Sequence, residues 1–131
     1  MELAMIGLGK MGMNMATRLI RGGHRVVGYA PSASSVEEAE NHSIEGAHSL
    51  EEAVGKLNAS RIVWVMVPAG QATDETINKL SNLLGAGDIV IDGGNSNYKD
   101  DAIHAALLEA KGIEFVDCGT SGGLWGISEG Y

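Results

Sequence analysis

Along the 131-residue chain, short apolar runs alternate with stretches whose apolar positions recur at helical spacing. The run LAMI ends at Gly7, and from Met11 the residues Met11, Met15, Ala16, Leu19 and Ile20 form one helical stripe. A strand therefore passes directly into a helix. Gly22 and Gly23 supply the left-handed backbone angles that end such a helix, and RVVGY reads as the next strand. SLEE at 49–52 has the form of a capping box, Ser49 bonding forward and Glu52 back, and starts a short helix toward Leu57. RIVWVMV is almost continuously apolar and rich in β-branched residues, as in a strand covered on both faces, and Pro68 ends it. Ile77, Leu80 and Leu84 mark a helix, DIVID a strand, Ile103, Ala106, Leu107 and Ala110 another helix, and IEFVD a last strand.

This alternation predicts an α/β, doubly wound domain of three layers around a mainly parallel sheet, because each parallel crossover needs a helix to return the chain. The length suits one domain, residues 1–131. Its end, GTSGGLWGISEGY, offers no predicted helix or strand to close that domain, so the chain is expected to be cut from a longer one.

Composition narrows the chemistry. A formal charge of −8 works against nucleic-acid binding, which relies on clustered Lys and Arg. No apolar run is long enough to span a bilayer and the N-terminus has no signal-peptide form, so neither a membrane nor a secreted location is expected, and a cytoplasmic one is. Cys118 is the single cysteine, too few for a disulfide or a thiolate metal site. The 19 glycines gather at GLGKMG, RGG, DGG and TSGG, where tight turns and close approach of a ligand are the natural explanations.

GLGKMG places Gly7, Gly9 and Gly12 in the G-x-G-x-x-G pattern between a strand and a helix, the Rossmann-like dinucleotide fingerprint. Gly7 permits the turn, Gly9 lets backbone amides approach a pyrophosphate, and Gly12 allows close packing of helix on strand. VPAG, DGGNSNY and DCGTSGG follow later strands, which puts them at the same end of the sheet and predicts one crevice.

GLGKMG, VMVPAGQATDETI, GDIVIDGGNSNYKDD and GIEFVDCGTSGGLWGISEGY resemble, in order and spacing, the N-terminal domain of 6-phosphogluconate dehydrogenases over essentially the whole chain. IDGGNSNY is the specific part, since the wider β-hydroxyacid dehydrogenases share the fingerprint and an SGG but lack it. The last segment looks more like the shorter decarboxylating type, often NAD-linked. The resemblance implies oxidation of 6-phosphogluconate by hydride transfer to NAD or NADP, then decarboxylation to ribulose 5-phosphate without a metal. It implies that Gly7, Leu8, Gly9, Lys10, Met11 and Gly12 hold the pyrophosphate, and that Val67, Pro68 and Ala69 border the adenosine. Asn95 would bridge cofactor and substrate, and Ser121, Gly122 and Gly123 would bind substrate. The family's lysine base and glutamate acid belong to a C-terminal helical domain absent from this chain, so no catalytic residue is expected here. Homo-oligomers are expected only of the full-length protein. The alternatives are a 3-hydroxyisobutyrate-type β-hydroxyacid dehydrogenase and a noncatalytic nucleotide-binding module.

The cofactor preference rests on VVGYAPSAS. Ala30 stands where an acid would accept the ribose hydroxyls of NAD, and Ala30, Pro31 and Ser32 stand where NADP-linked relatives place an arginine-bearing triplet. Neither reader is present. Ser32, Ser34 and Ser35 could hydrogen-bond a hydroxyl or a phosphate, and Glu37 and Glu38 would repel a 2′-phosphate, which favours NAD. His24, His42, His48 and His104 read as surface histidines, Lys10, Lys99 and Lys111 as solvated charges, and Cys118 as a small buried filler. Asp92 and Asp117 read as polar strand ends, and Trp64 as core. Trp125 either walls the substrate pocket or packs against the missing domain.

Overall fold

The computed structural model describes all 131 residues, apart from the side chain of Leu124. The elements run β1 (Glu2–Ile6), α1 (Lys10–Arg21), β2 (Arg25–Tyr29), α2 (Ala33–Asn41), β3 (Glu45–Ala47) and α3 (Leu50–Gly55). They continue with β4 (Ile62–Val65), α4 (Gln71–Leu83), β5 (Ile89–Asp92), α5 (Tyr98–Glu109), β6 (Glu114–Asp117), a 3-10 turn (Gly123–Trp125) and α6 (Gly126–Glu129). The six strands form one sheet in the order β3-β2-β1-β4-β5-β6, and every pairing is parallel. Strand order reverses at β1, whose Ile6 lies beside Tyr29 of β2 and Val65 of β4. The carboxyl ends of β1, β2 and β4 therefore diverge around a crevice, the usual ligand position in this topology.

Two apolar layers hold the sheet. On one face Val27, Ala4, Ile6, Val63, Val65 and Val90 pack under Leu50, Ala53 and Val54 of α3, Ile77 and Leu80 of α4, and Leu108 of α5. On the other, Leu3, Met5 and Val26 meet Met13, Met15 and Ala16 of α1 and Val36 and Ala39 of α2. At the amino ends of the strands Arg25 joins Glu2 at 2.6 Å and Glu45 at 2.7 Å, while Arg61 pairs with the buried Asp88 at 3.2 Å. No helix among the described residues is long and apolar enough to cross a membrane.

Several expectations need correction. In α5 the buried positions are Asp101, His104 and Leu108, while Ile103 is 66% exposed and Ala106 and Ala110 face solvent. The apolar stripe of that helix is thus its outer face. IEFVD forms an edge strand that is mostly exposed, and β4 is covered fully on one face only, with Ile62 and Trp64 half-buried. The glycine-rich end does form structure, the 3-10 turn and α6, which rests on α1 where Arg18 donates to the carbonyls of Ile127 and Ser128. Ser49 caps α3 by accepting from the amide of Glu52, but Glu52 reaches back to the amide of His48, one residue before the cap. At the end of α1 only Gly23 takes a positive φ, of 88°.

Candidate functional site

An open cleft of about 730 Å³ lies over the carboxyl ends of β1, β2 and β4. That size suits a cofactor, since ligand clefts run from roughly 300 to 1,000 Å³. Of the residues expected to bind cofactor, Gly7, Leu8, Gly9, Lys10, Met11, Ala30, Pro31, Ser32, Val67, Pro68 and Asn95 line it. Gly12 and Ala69 do not.

The three fingerprint glycines separate cleanly. Gly7 has φ of 103°, and a side chain on it would run into the carbonyl of Met66. A side chain on Gly12 would collide with the carbonyl oxygen of Gly7, so Gly12 lets α1 sit against the turn that precedes it. Gly9 is different. Its φ of −66° suits any residue, and a Cβ there would meet nothing within 4 Å. Gly9 thus has open space beside it while lining the cleft. Gly9 also begins α1 with no side-chain cap, and the first amides of a helix have no partner inside it. Such free amides at a helix start favour a negatively charged group.

Helices α2 and α4 also begin at this end without side-chain caps, at Ser32 and Gly70. The hydroxyl of Ser32 lies instead 2.8 Å from that of Ser34. Leu8 and Ala30, 6% and 8% exposed, belong to the apolar core, so the cleft meets chiefly their backbone. The sequence reading missed one wall: Ala72, Glu75, Thr76 and Lys79 line the cleft from α4 at i, i+3, i+4 and i+7. That spacing, directly after VPAG, was a usable signal, because Thr73, Ile77 and Leu80 take the core side of the same helix. Tyr29, at the end of β2, and Ser35 complete the lining on the β2 side. Lys10 and Lys79 are the cations of the cleft wall, Glu75 its acid, and no arginine lines it.

Asn95 holds a left-handed conformation with φ of 59°, which asparagine tolerates better than most residues. Its loop is fastened from below by Asp92, fully buried, which accepts from the amide of Gly94 at 2.9 Å and the hydroxyl of Ser96 at 2.5 Å. Thr120 donates to the carbonyl of Gly93 at 3.1 Å and so ties the TSGG loop to the same place. Ser121, Gly122 and Gly123 themselves do not line the cleft; Gly122 precedes the 3-10 turn and packs against the ring of Tyr131. Trp125 is 71% exposed and outside the cleft wall.

Several single residues sit otherwise than the sequence pattern predicts. His104 is buried, 4% exposed, with Nε2 2.7 Å from Asp74 of α4, and His24 is half-buried; His42 and His48 are exposed. Cys118 is half-buried rather than a core filler. Lys111 is exposed, yet its amine donates to Ser81 and Asn82. Trp64 packs on the α1 side with its indole nitrogen buried and unpartnered. Asp101 is held up to about 6, first by burial and then by the neighbouring Asp117 carboxylate.

The crossover order, the uncapped helix start at Gly9 and the cleft define a dinucleotide-binding α/β domain of the dehydrogenase kind. A family model described as the NAD binding domain of 6-phosphogluconate dehydrogenase matches residues 2–131, and the chain belongs to that family. It is 40% identical over 131 residues to the NAD(+)-dependent, decarboxylating 6-phosphogluconate dehydrogenase of Haloferax volcanii, covering 100% of this chain and 43% of the relative. The 6-phosphogluconate dehydrogenase of Plasmodium falciparum, described with NADP+ and with its substrate, superposes with a TM-score of 0.90 at 29% identity, over 97% of this chain and 28% of that one. The 3-hydroxyisobutyrate dehydrogenase of Mycobacterium tuberculosis does so with a TM-score of 0.87 at 28% identity, over 95% of this chain and 42% of that one. The chain thus spans less than half the length of these relatives.

Proposed function

We propose that this chain is the cofactor domain of a longer, cytoplasmic, decarboxylating 6-phosphogluconate dehydrogenase, which converts 6-phosphogluconate and NAD(P)+ to ribulose 5-phosphate, CO2 and NAD(P)H. The observation that carries the reading is the open space beside Gly9 at an uncapped helix start, in the same cleft as Asn95. The dinucleotide, when bound, supplies the hydride acceptor. The amides at the start of α1 hold its pyrophosphate, Val67 and Pro68 border its adenosine, and Ala30, Pro31 and Ser32 border its ribose. Asn95, offering both donor and acceptor, bridges to the sugar acid, and Ser121, Gly122 and Gly123 bind that substrate. The base and acid of the reaction lie outside this chain, which by itself binds cofactor without turnover. NAD is the preferred form: no arginine lines the cleft to pair with a 2′-phosphate, and Glu75 would oppose one.

Parallel titration with NAD and NADP at one salt concentration, read by tryptophan fluorescence or heat, tests the binding part. Tighter NAD binding is expected; tighter NADP binding would mean that Ser32, Ser34 and the α2 amides make a phosphate pocket without arginine. The full-length protein is expected to turn over 6-phosphogluconate in preference to 3-hydroxyisobutyrate. The structural likeness to the 3-hydroxyisobutyrate enzyme is what makes that second substrate the right comparison.

A further inference from the structure

Beneath the Asn95 loop lies a buried polar cluster that the cofactor cleft does not use. Asp92 ends β5, and its side chain points to the α4–α5 side of the sheet with that of Val90. Asp101 stands in the first turn of α5, 8% exposed, and both its carboxylate oxygens are shielded from solvent without a hydrogen-bond donor. One turn on, His104 uses Nε2 toward Asp74, while its Nδ1 is likewise shielded and unpartnered. One ligating atom from each of Asp92, Asp101 and His104 lies within 4.8 Å of the others. Asp117, opposite Asp92 in the β5–β6 register, adds a further carboxylate beside Asp101. None of the ion pairs among the described residues brings a lysine or arginine to Asp92, Asp101 or Asp117.

Buried carboxylates without enough donors are costly, and a cation at their common centre removes that cost. Among the described residues the amide of Gly94 and the hydroxyl of Ser96 donate to Asp92, while Asp101 has the neighbouring Asp117 carboxyl beside it. The Asp74–His104 bond is the outer-shell arrangement of many metal sites, in which a carboxylate takes one ring N–H and leaves the other nitrogen as a lone-pair donor.

We propose that Asp92, Asp101 and His104 form a divalent-cation site, for an ion of the zinc or manganese kind that accepts imidazole nitrogen together with carboxylate oxygen. Bonds of about 2.1 Å in tetrahedral geometry put neighbouring ligands about 3.4 Å apart, so the most distant of these side chains draw together by about an ångström on binding. The ion ties the end of β5 to the first turn of α5 directly below the loop that presents Asn95. It positions that loop and takes no part in hydride transfer, in keeping with the metal-free chemistry of the proposed reaction.

The chain, stripped with chelator and dialysed, is titrated with ZnCl2, MnCl2 and MgCl2 in the absence of dinucleotide, so that failure here is separate from failure of the cofactor reading. Expected are one zinc or manganese ion retained per chain after desalting, by elemental analysis, and a melting temperature raised by roughly 8 °C at a hundredfold excess over Kd. D101N and H104Q should each abolish retention, D74N should weaken binding by about 10- to 100-fold, and H42Q should leave it unchanged. An unaltered melting temperature with no ion retained by the wild-type chain overturns the proposal, whatever the variants do. Retention that survives both D101N and H104Q overturns it as well.

Discussion

Helices α1 and α5 each follow a strand and return the chain to a parallel neighbour, yet they turn opposite kinds of face to the sheet. Helix α1 buries Met13, Met15 and Ala16 with Thr17, whose hydroxyl is satisfied within the helix by the carbonyl of Met13, and it buries no charged side chain. Helix α5 buries Asp101 and His104 with Leu108, and leaves Ile103 in solvent. The first arrangement is what apolar burial dictates; the second spends part of its inward face on charge and leaves apolar area exposed. Where a helix departs from its own hydrophobic pattern, groups other than the core are being placed. In α5 those groups sit under the Asn95 loop, whereas α1 presents its backbone amides to the cleft and keeps no ionisable side chain inside.

The largest effects should come from the turn that launches α1. G12A puts a methyl group against the carbonyl of Gly7, and G7A adds a side chain at φ of 103° against Met66. Each is expected to lower stability by about 3 kcal/mol in urea unfolding, because neither neighbour is a flexible side-chain end. A small effect for G12A would mean that α1 can lift from the turn, and that the close helix–strand contact is not what the glycine serves.

In α5 the expected order contradicts the sequence pattern. L108A, at a fully buried position, should cost about 3 kcal/mol, whereas I103A should change stability by less than about 0.5 kcal/mol. Equal costs in urea unfolding would restore the amphipathic reading of α5 and remove the contrast with α1.

Those two helices also explain how much was legible beforehand. The doubly wound parallel sheet and the cleft follow from alternation and from GLGKMG, because backbone sterics at Gly7 and Gly12 admit few alternatives, while the strand order was not predicted. Most residues named for the cofactor line the cleft. The wall from α4 was overlooked because its cleft face is a mixture of Ala72, Glu75, Thr76 and Lys79, which by composition reads as solvated surface. The face of α5 was misassigned because Ile103, Ala106, Leu107 and Ala110 satisfy helical periodicity as well as the buried set does, and burial of Asp101 and His104 depends on partners from α4, β5 and β6. Periodicity finds a helix more reliably than it finds which face is wet. TSGG and the residues after it were expected to carry no regular structure, but α6 forms against α1, a tertiary contact that local pattern does not carry.

A third substitution separates fold from ligand within α1 itself. G9A has backbone angles open to alanine and meets no neighbour, so stability should stay within about 0.5 kcal/mol of the parent. Dinucleotide affinity should nevertheless fall about tenfold or more, since the methyl group occupies the approach to the α1 amides. Unchanged affinity in the NAD titration would place the pyrophosphate elsewhere in the cleft.

The smallest expected effect lies at the amino ends of the strands, away from both helix starts. Glu2 is held below the usual carboxylate range, first by the amide of Asn58 and then by the guanidinium of Arg25. A carboxyl depressed in the folded state binds fewer protons there than in the unfolded chain, so its contribution is full above the ordinary value of 4.5 and fades as pH falls through the folded one. E2Q should therefore lower stability slightly at neutral pH and hardly at all in strong acid, so its deficit shrinks as unfolding is followed downward in pH. A deficit that stays constant with pH would show that Glu2 acts by neutral hydrogen bonding to Asn58, with the Arg25 pair contributing nothing, as for many exposed ion pairs.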